Sequence, residues 1–154
     1  MEEVTFEYRL TGFRWSEAAI QIGRSGASLS ASYLDDALGD LVRAAVDIAQ
    51  GATSARISWA EEPGEYRWVL TRNDDQLDVR VLWFDELWGS DPDERGKEGL
   101  AATCTVRAFL LAVAAGAERV RDDVGTESYR AQWIENDFPS RELNHLRELL
   151  ARTH

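Results

Sequence analysis

The side chains most often recruited for chemistry are scarce in this sequence. Of its two histidines, His154 is the last residue, and His145 lies beside Leu146 in a charged stretch with no His or Cys at ligand spacing. Cys104 is the only cysteine, so one chain can form neither an internal disulfide nor a thiolate metal cage. Its apolar, strand-like surroundings read as an inert buried thiol. The serine motifs G-x-S-x-G and S-x-x-K do not occur, nor do the glycine loops that cradle phosphates. Asp91, Asp93 and Gly96 fall on the first, third and sixth places of an EF-hand calcium loop. Arg95 and Ala102 then stand at the fifth and twelfth, where oxygen ligands belong. Paired carboxylates for acid–base chemistry carry no signal, because 28 acidic residues always supply pairs. The reading is a non-enzymatic protein with no cofactor and no metal. An enzyme without a recognisable motif stays open as an alternative.

The charge balance narrows the partners. Seventeen Lys and Arg face 28 Asp and Glu, a net charge of -11. Such a chain is repelled by nucleic-acid phosphates and anionic lipid unless it carries a segregated basic patch. The nearest approach to one, Arg141 and Arg147, is offset by Glu142 and Glu148. Nucleic acid and membrane are therefore not expected partners. No apolar run approaches the roughly 20 residues that span a bilayer. Met1-Glu2-Glu3-Val4 leads straight into an alternating segment and not into a signal peptide, which makes the cytoplasm the expected location.

The elements that would position any site follow from hydrophobic period. Val4, Phe6, Tyr8 and Leu10 alternate with polar residues, as do Ala18, Ile20 and Ile22, and then Ala27, Leu29 and Ala31. Period two marks half-buried strands, so residues 1–32 read as a meander. Leu34, Leu38, Leu41, Ala45 and Ile48 recur every three or four, which predicts an amphipathic helix over 33–50, opened by Ser32 and closed by Gly51. A second meander of three strands covers 54–84. Its cross-strand partners must share a face. A two-residue turn at Asp74-Asp75 satisfies this by pairing Leu70 with Val79, Trp68 with Val81 and Tyr66 with Trp83, a wall for the first helix to cover. Residues 85–97 form a polar, exposed loop. Residues 98–154 hold a strand near Leu100–Cys104, a long helix capped by Thr105, a short segment with Tyr129 and Trp133, and a last helix from Ser140. The expected fold is a single α+β domain over 1–154: an antiparallel sheet of about six or seven strands (meander, helix, meander), with helices on one face and a helical C-terminus.

This topology gathers one constellation. Antiparallel strands place the loop 60–65 and the loop after residue 84 at the same end of the sheet. Glu61, Glu62, Glu65, Asp85, Glu86, Asp91, Asp93 and Glu94 therefore converge, with Trp88 among them, and Arg95 and Lys97 as the only counter-charges in those stretches. An acidic rim around an aromatic anchor suits the docking of a cationic partner.

The stretch Trp59-Ala60-Glu61-Glu62-Pro63-Gly64-Glu65-Tyr66-Arg67-Trp68, followed by Val81-Leu82-Trp83-Phe84-Asp85, resembles a group of small, acidic, largely uncharacterised bacterial α+β proteins. Tyr129-x-x-x-Trp133, Phe138-Pro139 and Leu143-x-x-Leu146 extend the likeness over most of the chain after residue 30. In size, acidity and build these proteins are similar to immunity proteins of bacterial polymorphic toxin systems. The resemblance implies a binding role, with a basic protein such as a toxin as partner, and assigns no catalytic residue. The alternative is a small-molecule binder with an aromatic pocket between sheet and helices, lined by Trp68, Trp83 and Tyr66. Self-association is also open, because the last helix can pack on this chain or on a second copy in a homodimer.

Overall fold

Alternation and helical period each yield the element they predict. In the computed structural model, which describes residues 3–12, 14–61, 63–86, 91–133 and 136–152, the first meander is β1 (Val4–Gly12), β2 (Trp15–Ile22) and β3 (Ser25–Ser32). Helix α1 (Ala37–Ala49) leads to β4 (Ser54–Ala60), β5 (Glu65–Asn73), β6 (Gln76–Phe84) and β7 (Lys97–Thr105). Helices α2 (Val106–Val124), α3 (Thr126–Trp133) and α4 (Ser140–Arg152) complete the chain. The fold is α+β, with seven antiparallel strands among the described residues and a C-terminal helix. The strands are divided between two sheets, β1-β2-β3 and β4-β5-β6-β7, each in sequence order.

In the second sheet Leu70 pairs with Val79, Trp68 with Val81 and Tyr66 with Trp83, the register that face-sharing demanded. Asp74 takes the left-handed conformation (φ 56°) that this tight turn requires. Thr105 Oγ1 accepts from Ala108 N at 3.1 Å and caps α2.

The covering of the aromatic wall differs from the expectation. Helix α1 packs beside β4, but the indoles are met by the first sheet. Phe6 lies edge-on to Trp68 with ring centres 6.2 Å apart, and Tyr8 edge-on to Trp59 at 5.9 Å. Trp59 and Trp68 are fully buried, whereas Tyr66 and Trp83 meet in a tilted contact at 4.8 Å, half-buried at the end of the wall. Helix α2 crosses β1 at Gly116, where a Cβ would lie 2.5 Å from the Phe6 ring. Glycine's cost inside a helix is accepted for this close approach.

Helix α1 starts at Ala37 and not at residue 33. Ser32 is still in the β3 ladder opposite Trp15 and is buried. Asp35 is held by tertiary bonds: its carboxylate accepts from Ala60 N at 2.6 Å and its carbonyl from Trp133 Nε1 at 3.0 Å. Those bonds outweigh the few tenths of a kcal/mol that helix propensity offers each residue. Gly51 follows the helix with φ 107°. Ser140, expected as a cap, is the first residue of α4.

The last helix packs on its own chain. Leu143, Leu146 and Leu150 are buried where α4 meets α1 and α2. Arg43 of α1 ties the helices together, donating to Glu142 at 2.7 Å, Asp36 at 2.6 Å and Asp40 at 2.7 Å. Arg147 of α4 is paired with Glu118 of α2.

Candidate docking surface

The antiparallel register assembles the acidic end. Ala60 is opposite Glu65, Glu65 opposite Phe84, and Trp83 opposite Lys97, so the β4–β5 loop and the β6–β7 loop leave from the same end of the four-stranded sheet. Glu61, Glu65, Asp85, Glu86, Asp91, Asp93 and Glu94 all belong to that end. Glu62 and Trp88 lie outside the described residues.

These carboxylates are not equivalent. Asp93, at the start of a short 3-10 turn, accepts from Arg56 Nη2 at 2.6 Å and from Arg67 Nη1 at 2.9 Å. The Asp91 carbonyl accepts from the same Arg67 nitrogen at 2.9 Å. Glu65 is only 1% exposed, and its Oε2 lies 3.8 Å from Arg67 Nε without a hydrogen bond. Glu61 accepts from Ser30 Oγ at 2.6 Å, and Asp85 from Trp83 Nε1 at 2.9 Å. Glu86 and Glu94 are exposed and have no hydrogen bond or ion pair among the described residues. The end thus holds an inner set locked to arginines and an outer set facing solvent.

The lock has a packing cause. Val69, Leu82 and Phe84 point away from the main core and form a second apolar cluster on the outer face of the four-stranded sheet. Residues 91–96 lie over it: Gly96 packs on Leu82 and Phe84, and the Arg67 guanidinium sits 4.1 Å from the Phe84 ring centre. Arg67 therefore covers an aromatic ring and grips the strap that passes above. The expected loop 85–97 is accordingly not fully exposed, and Lys97 already belongs to β7. Hydrogen bonds from Arg56, with those from Arg67 behind them, hold the Asp93 carboxyl below its usual range despite some loss of hydration.

Arg56 and Arg67 are the residues that spacing did not reveal. They lie in β4 and β5, outside the acidic stretches, 37 and 26 residues from Asp93. A signal was available in the broken alternation. Val69-Leu70 and Val81-Leu82-Trp83-Phe84 are apolar at both parities, which means the second face of the sheet also needs a cover.

Other candidate groups serve the fold. Burial, with Asp78 nearby, pushes the Cys104 thiol up to about 11, which leaves it protonated and inert. His145 is half-buried on α4 with its Nε2 3.5 Å from Gln50 Nε2. Trp68, expected to line a pocket, is in the sealed core. Among the described residues no three His, Cys, Asp or Glu are placed to hold a metal ion. Among the described residues no helix is long and apolar enough to cross a membrane. Neither a family model, nor a curated protein, nor a solved structure matches the chain.

Proposed function

We propose that this is a non-enzymatic, cytoplasmic binding protein, immunity-like in character, which engages a basic protein such as a toxin through its acidic end. The observation that supports this reading most is the division of labour there. Asp93 and the Asp91 carbonyl fix residues 91–93 to Arg56 and Arg67, so that Glu94 follows an anchored turn, while Asp85 is held by Trp83 at the end of β6 with Glu86 next to it. A pre-organised acidic surface loses little conformational entropy on docking and accelerates encounter with a cationic partner. Asp85, Glu86 and Glu94 are the outward charges, with Glu61 half-buried beside them. Trp88 and Glu62 are retained in the proposal from the sequence.

The test is affinity capture from lysate at low salt and at about 0.5 M, where screening shortens to a few Å, with a Glu86→Lys/Glu94→Lys variant alongside. The reading predicts one basic protein, retained by the wild type at low salt and lost both at high salt and from the variant. A partner retained equally by the variant, or one that is acidic, overturns it.

A further inference from the structure

We infer that the docking surface does not stop at the acidic loops but continues onto the outer face of β1-β2-β3, where a groove takes an arginine-bearing, extended segment of the same basic partner. This rests on the function proposed above and specifies the partner's chemistry.

Three rows of the register define the groove. Glu7, Ala19 and Ser28 stand side by side on the outer face, then Arg9, Glu17 and Ser30, and then Trp15 opposite Ser32. Ala19, Ser28 and Ser30 are small, so the middle of the face is low. Tyr66 borders it on one side, and Arg119 and Asp123 of α2 on the other, leaving an open groove of about 580 Å³. That is enough for several side chains of a partner and lies within the ordinary range of ligand sites.

Charge and aromatic placement select the occupant. Glu7, Glu17 and Asp123 line the groove with Arg9 and Arg119, and Glu61 meets it through Ser30; Arg9 and Glu17 cancel each other at 2.7 Å, which leaves Glu7, Asp123 and Glu61 against Arg119. The Ser30–Glu61 hydrogen bond at 2.6 Å joins this face to the acidic end without a break. Trp15, 40% exposed, is the one exposed large hydrophobic residue among those described, and it stands on the same face two positions from Glu17. Tyr66 thus lines a groove with surplus negative charge, and Trp15 adds an exposed aromatic ring on the same sheet face. A guanidinium satisfies both, by ion pairing and by stacking on an aromatic ring.

Arg14, next to Trp15, is anchored to the body of the protein. Arg14 adopts φ 73°, a left-handed conformation uncommon outside glycine, its amide donates to the Gln132 carbonyl at 2.9 Å, and its guanidinium lies 5.1 Å from the Tyr33 ring centre.

The experiment is an amide-resolved NMR titration of the full chain with a hexa-arginine peptide at physiological salt, on the wild type, on Ala19→Trp, which fills the groove, and on Glu86→Lys/Glu94→Lys. Saturable shifts are expected at Glu7, Ala19, Ser28 and Ser30 and at the Trp15 indole. Ala19→Trp should weaken binding roughly tenfold, the loss of one good contact, with an unchanged melting temperature and loop shifts still present. Should that variant melt early, Ser28→Arg blocks the same groove by charge and must give the same result. Shifts confined to residues 61–65 and 91–96, indifferent to Ala19→Trp, overturn the groove and leave the acidic-end reading standing. Unsaturable shifts spread over carboxylates everywhere overturn both.

Discussion

The outer faces of the two sheets are built on different plans, although their inner faces share one core. Along β2 exposed and buried residues alternate without exception, so the three-stranded sheet has one wet face and one dry face. The four-stranded sheet is apolar on both sides near its acidic end, with Val69, Leu82 and Phe84 buried under the returning loop. One sheet therefore leaves an open, mixed-charge groove, and the other carries a strap fastened by arginines. A protein of this size can present two adjacent surfaces, one rigidly charged and one concave, by covering a sheet face in one place and leaving it bare in another.

Core and outer-face substitutions separate the two plans. The largest effect belongs to the core that both sheets share: Trp68→Ala should cost roughly 3–5 kcal/mol in urea denaturation, since it removes the ring that meets both Phe6 and Trp59. Next comes Leu82→Ala under the strap, at about 2–4 kcal/mol, against Gln21→Ala on the bare sheet, within about 0.5 kcal/mol of zero. Equal costs for these two would abolish the distinction. Asp93→Asn should loosen the strap at a cost of about 1 kcal/mol, modest because Arg56 is largely solvated. The sign with pH follows from the depressed Asp93 carboxyl. Its contribution is fully present above the ordinary carboxylate value of 3.8 and is lost as pH falls through the lower folded value. Asp93→Asn should therefore show a shallower acid decline in melting temperature than the wild type. The smallest change is expected from Tyr129→Phe. The Tyr129 hydroxyl is buried beside Tyr8 without completing a hydrogen bond, so its removal should be neutral or slightly stabilising.

How much of this was legible in the sequence depended on the range of the interaction. The β5–β6 register was readable because a two-residue turn and a shared face leave one solution. The Thr105 cap is local, and so is the glycine after α1. The acidic convergence followed from strand direction alone. What escaped depends on contacts between distant segments: Phe6 and Tyr8 against the indoles, and the division into two sheets. Arg56 and Arg67 on Asp93 escaped for the same reason. No local spacing encodes these contacts, although the doubled apolar positions at Val69-Leu70 and Leu82-Phe84 mark where a cover must lie. For the same reason Asp93 and Glu65, expected as outward carboxylates, are turned to structural use while Glu86 and Glu94 face solvent.

The central claim, an acidic end that steers a basic partner, is met most directly by association kinetics. The rate constant for the captured partner should be measured from low to high salt for the wild type and for Glu86→Lys/Glu94→Lys. The account predicts a wild-type rate that falls steeply with salt, and a variant that starts on the order of tenfold or more slower and loses the salt dependence, with both proteins melting alike. Equal rates and equal salt slopes for the two would contradict it.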